Sequence, residues 1–75
     1  MKINRMSELI TNEEDLPLTL RDAVGRVKLM VSRNRRTVQQ EILPDGSEVW
    51  GLQWRRGIRW GINDAEGEKI AGNSR

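Results

Sequence analysis

Cysteine and histidine are both missing from this 75-residue sequence. Their absence removes disulfides, thiolate nucleophiles, imidazole bases and the common zinc ligands together. Phenylalanine and tyrosine are missing as well, so three tryptophans are the only aromatic residues. The chain is near the size where one core only just suffices, and with 36% hydrophobic residues those indoles have to carry much of the burial. No apolar run approaches the roughly 20 residues of a membrane span. The first residues have no signal-peptide core, so a soluble, cytoplasmic chain without a membrane partner is expected. Serines and threonines have no histidine base to activate them, the carboxylates match no calcium loop, and no phosphate-binding glycine motif is present. Neither an enzyme nor a cofactor-dependent protein is expected.

What is present is a period of two. Between Thr37 and Ile62 the apolar residues Val38, Ile42, Trp50, Leu52, Trp54, Ile58, Trp60 and Ile62 fall on even positions. That is the pattern of a sheet with one buried face. Pro44-Asp45-Gly46 and Arg55-Arg56-Gly57 both read as three-residue hairpin loops, a type I turn followed by a left-handed glycine. The resulting register sets Val38 against Leu52, Trp54 against Ile58, Leu52 against Trp60 and Trp50 against Ile62, with all three indoles inward. Ala65-Glu66-Gly67 repeats the loop form and would bring Ile70 opposite Ile62. Strands are expected over about 37–43, 47–54, 58–64 and 68–71.

Upstream, Thr19 with Asp22 has the form of a helix start, and the spacing predicts a helix over about 20–34. Leu20, Ala23, Val24, Val27, Met30 and Val31 form its apolar stripe. Gly25 and an outward Leu29 object, and Val27, Leu29 and Val31 can also be read as a strand. The fold class expected is α+β, one amphipathic helix on a three- or four-stranded antiparallel meander. Residues 1–18 are read as an N-terminal arm or short element, 19–72 as a single domain, and 73–75 as a loose tail.

Net charge is only +2 but unevenly placed. Residues 1–22 carry three basic and five acidic groups, residues 23–60 eight and three, residues 61–75 two and three. The basic excess therefore lies on the structured centre. On the expected register the odd positions Thr37, Gln39, Glu41, Val49, Gly51, Gln53, Arg55, Arg59 and Gly61 form the outward face. Gln39, Gln53 and Arg59 come together on it, and arginine and glutamine are the side chains that read guanine and adenine edges in the major groove. Arg55 and Arg56, with Arg33, Arg35 and Arg36 at the helix end, would hold phosphates. A solvated polar face is the bland account of the same residues.

Two functional readings follow. The first is a small nucleic-acid-binding protein contacting duplex DNA through the polar sheet face and its loops. Its shortness and basic centre suit a regulatory or accessory protein of a phage or mobile element. The alternative is a protein-interaction module, an inhibitor or accessory subunit, using a sheet edge or the apolar N-terminal arm. Open edge strands also allow pairing with a second copy as a homodimer.

Overall fold

The computed structural model describes residues 9–73, and over these the α+β expectation holds. Helix α1 spans Leu18–Arg33 and is followed by β1 (Gln39–Ile42), β2 (Glu48–Trp54), β3 (Gly57–Asn63) and β4 (Lys69–Gly72). The strands form one antiparallel sheet in the order β1-β2-β3-β4. A 3₁₀ turn at Glu13–Asp15 precedes the helix. Of the expected arm, residues 1–8 lie outside the described part, as do residues 74 and 75 of the expected tail.

The helix begins two residues before the expected start. Pro17 precedes it with φ −56°, already close to helical and with no N–H to leave unpaired. Its carbonyl accepts the Arg21 N–H at 2.9 Å, so Thr19 falls inside the first turn instead of capping it. The stripe is as expected and decides against a strand over 27–31: Ala23, Val24, Val27 and Val31 are buried, with Leu20 and Met30 packed beside them. Gly25 lies exposed, and Leu29 is 50% exposed.

Two of the three hairpins close as the glycines predict. Gly46 and Gly67 take φ of 91° and 87°, and their N–H groups donate to Leu43 and Asp64 carbonyls, each at 2.9 Å. The middle hairpin does not. Its turn is Arg55-Arg56 alone, with Arg55 at φ 53°, and Trp54 pairs with Gly57. This shortens the loop by one residue and shifts β3 by one against β2. Gly51 then faces Trp60, Val49 faces Ile62, Trp50 faces Gly61 and Leu52 faces Arg59.

A one-residue shift moves every side chain of a strand to the other face. The tryptophans are accordingly divided. Trp60, 1% exposed, joins Val49, Ile62 and the helix valines in the core. Trp50 and Trp54 stand on the opposite face of the sheet, so the expectation of three inward indoles is overturned.

The physical reason lies in the glycines. A Cβ at Gly51 would lie 2.9 Å from Val27 Cγ1, so the valine-lined helix sits close on the sheet there. Such a gap has no room for the Trp50 and Trp54 indoles alongside Trp60. On the other face a Cβ at Gly61 would lie 2.2 Å from Trp50 Cζ2 and 2.5 Å from Trp50 Cε2. The indole is laid over the glycine and covers the backbone that Gly61 leaves bare. The expected register would have set Gly51 opposite Gly61 and left two gaps back to back.

β4 follows β3 with a bulge at Ile62/Asn63, and Ala71, not Ile70, lies opposite Ile62. Ile10 adds a parallel bridge beside Ala71, its carbonyl accepting the Gly72 N–H at 2.9 Å. Asn73 is tied to β3, its Oδ1 accepting the Trp60 N–H and its Nδ2 donating to the Ile58 carbonyl, both at 2.9 Å.

Candidate functional site

The altered register rearranges the expected contact surface. Gln39 lies opposite Gly51, on the face toward the helix, where its Nε2 donates to Thr37 Oγ1 at 2.9 Å. Gln53 shares that side, its amide reaching the Arg55 carbonyl at 3.3 Å. Arg59 lies opposite Leu52, on the other face. A polar plate uniting Gln39, Gln53 and Arg59 therefore does not exist, and with it goes the geometry for reading base edges with that face. Glu41 is also turned toward the helix and accepts two hydrogen bonds from Arg26, at 3.0 and 2.8 Å. That guanidinium holds the Glu41 carboxyl below its ordinary pKa.

Three of the arginines, Arg35, Arg55 and Arg56, do gather. Arg33 is the last residue of α1, Arg35 and Arg36 follow in the next turn, and Arg55 with Arg56 forms the β2–β3 turn. The end of the helix meets that turn. A shallow cleft of about 580 Å³ between them is lined by Lys28, Ser32, Arg35, Gln53, Arg55 and Arg56, among others. Among the described residues the ion pairs are Arg26–Glu41 and Lys28–Glu13, so none of these five arginines is neutralised by a carboxylate.

The opposite end of the sheet carries the other sign. Asp45 and Glu48 bracket the β1–β2 turn, and Asp64, Glu66 and Glu68 the β3–β4 turn. The two turns adjoin, since a Cβ on Gly46 would lie 3.0 Å from that of Ala65. Each turn is fixed by its own aspartate: Asp45 Oδ1 accepts the Ser47 N–H at 2.9 Å, and Asp64 Oδ1 accepts those of Glu66 and Glu68 at 3.0 and 2.9 Å. The Ser47 bonds hold the Asp45 carboxyl below its ordinary pKa. The sheet is thus basic at one end of its strands and acidic at the other.

Between the ends lies an outer face that sequence reasoning took for the buried one. Val38, Ile42 and Trp54 are 58%, 60% and 46% exposed there, with half-buried Trp50 and Leu52 between them. Arg59 and Arg55 hold their guanidinium carbons 5.0 and 5.7 Å from the centre of the Trp54 ring, within cation–π range. The signal that could have revealed this face is the pair of Trp-Gly dipeptides, Trp50-Gly51 and Trp60-Gly61, which fit together only when each indole faces the other strand's glycine.

Among the described residues no three His, Asp or Glu side chains converge as a metal site, and no helix is long and apolar enough to cross a membrane. No protein-family model, curated protein or solved structure matches this chain.

Proposed function

We propose that the protein binds nucleic acid through the phosphate backbone, using the arginine-rich end of the sheet. The observation carrying this reading is the meeting of Arg35 with Arg55 and Arg56, from two separate segments, in one cleft at the basic end, with Arg33 and Arg36 beside Arg35 in the chain and no carboxylate partner for any of the five among the described residues. Guanidinium groups bind phosphate oxygens bidentately. The acidic far end gives the domain a direction, steering it onto a polyanion basic end first. Phosphate contact positions a protein without reading sequence. With Gln39 and Gln53 turned to the helix side, recognition of base edges in duplex DNA is no longer part of the reading.

The test is a titration of labelled duplex DNA, single-stranded DNA and RNA at two salt concentrations. Affinity is expected to fall steeply with salt, and each arginine replaced by alanine should reduce the log–log slope by about one. A chain with all five arginines replaced that still binds any of the three with unchanged affinity would falsify the proposal.

A second reading, a protein-interaction module, is favoured by a different observation. The outer face exposes Val38, Ile42 and Trp54 together, and contiguous apolar surface of this kind marks interaction sites.

A further inference from the structure

We infer that the outer sheet face is self-complementary, and that two copies of the chain pair through it about a two-fold axis, the arginine end of each over the acidic end of the other. The inference gives the second reading above its occupant and does not depend on phosphate binding by the basic end.

The face is apolar on β1 and β2 and polar beyond them, with Gln40 between Val38 and Ile42 and with Arg59, Asn63 and Lys69 on β3 and β4. Val38, Ile42, Trp50, Leu52 and Trp54 form a stripe across β1 and β2, and Trp50 is laid flat over Gly61. Sheets with such a face pack against a second layer about 10 Å away.

Charge identifies that layer as a second copy. An isologous interface has to complement itself under rotation, which an apolar stripe with unlike charges at its two ends does. Glu48 belongs to this face, opposite Ile42 at one end of β2. Arg59, held against Trp54, belongs to it near the other. A two-fold axis lying between the two faces, parallel to the sheets and perpendicular to the strands at the level of Trp50, reverses the strands and brings Glu48 of one copy over the level of Leu52 and Arg59 in the other. A nucleic-acid strand along the same face would instead run from the arginines into Glu48 and the acidic turns. The exposed aromatic residue on this face is Trp54, and Arg55 and Arg59 already lie over its ring, which leaves stacked bases little free surface.

The strands hold four, seven, seven and four residues, which at about 3.3 Å per residue and about 4.8 Å between strands gives a projected face of roughly 350 Å² per copy. Twice that area lies below the standard interface size, so a weak, transient dimer is expected.

Sedimentation equilibrium on the full chain over a wide concentration range tests this. The expected result is a monomer–dimer equilibrium, weakened at least tenfold by Leu52→Lys or by Ile42→Lys, with helix circular dichroism unchanged. Ile42 is 60% exposed, so its variant remains foldable if the first does not. Glu48→Arg and Arg59→Glu should each weaken association several-fold, and the double exchange should restore it. Within one copy these residues stand about four positions apart along the strands, roughly 13 Å, so restoration reports contact between copies. A chain that stays monomeric at several hundred micromolar overturns the inference, as does association indifferent to Leu52→Lys and Ile42→Lys, or a double exchange that restores nothing. A monomer that pairs only after residues 1–8 are deleted assigns the face to the chain's own N-terminal segment. A monomer whose Trp54 fluorescence is quenched by single-stranded oligonucleotide assigns it to nucleic acid.

Discussion

At the scale of single residues, the glycines distinguish positions where a side chain is forbidden from positions where it is merely absent. Gly61→Ala would drive a methyl group into the Trp50 indole. The expected loss is about 1–3 kcal/mol, as for other overpacking changes, read by chemical denaturation. Gly25 has nothing within 4 Å of an added Cβ and lies on the exposed side of α1. Gly25→Ala should therefore gain about 0.5–1 kcal/mol. If both substitutions behave alike, the close approach of Trp50 to Gly61 is wrong. Glu41 supplies a pH dependence. Its carboxyl titrates lower in the folded chain than in the unfolded one because Arg26 donates to it. Its contribution is present at neutral pH and is lost as pH falls through its folded pKa. Glu41→Gln should flatten the acid side of the stability profile, by a small amount because the pair is at the surface, and this is checked by thermal melts across acidic pH.

The elements show where the sequence was legible and where it was not. The stripe on α1 could be read because Ala23, Val24, Val27 and Val31 repeat at helical spacing, and a helix needs no partner to declare its period. The outer hairpins could be read because Pro44-Asp45-Gly46 and Ala65-Glu66-Gly67 each place glycine where φ is positive. The middle turn misled because Gly57 has the same local form, yet the positive φ belongs to Arg55. What decides that turn is remote from it: Val27 closing on Gly51, and Trp50 needing Gly61 beneath it. Parity alone does not carry this information, since the even residues are apolar on β2 and β3 alike while the two strands present them to opposite faces. The candidate site inherited the error. Arg35, Arg55 and Arg56 meet because that depends only on where the turns lie, whereas the Gln39–Gln53–Arg59 plate depended on register and is divided by the shift. A positive φ at the first central residue of a two-residue turn is most easily taken by glycine. Arg55→Gly should consequently stabilise the hairpin by up to about 1 kcal/mol, measured by thermal melting, while weakening any polyanion binding. A clear loss of stability would argue against this turn.

For the whole molecule, the shift of β3 by one residue accounts for both the core and the open face. It turns Trp60 and Ile62 toward α1, where a valine-lined helix can cover them. It leaves Trp50, Leu52 and Trp54 on the far side, between an arginine end and an acidic end. The most direct test of that shift is the set of cross-strand nuclear Overhauser effects between β2 and β3 in solution. Backbone contacts joining Gly51 with Trp60 and Trp50 with Gly61 are predicted. Contacts joining Gly51 with Gly61 and Trp50 with Ile62 would contradict it, return all three indoles to one face, and remove the outer apolar surface altogether.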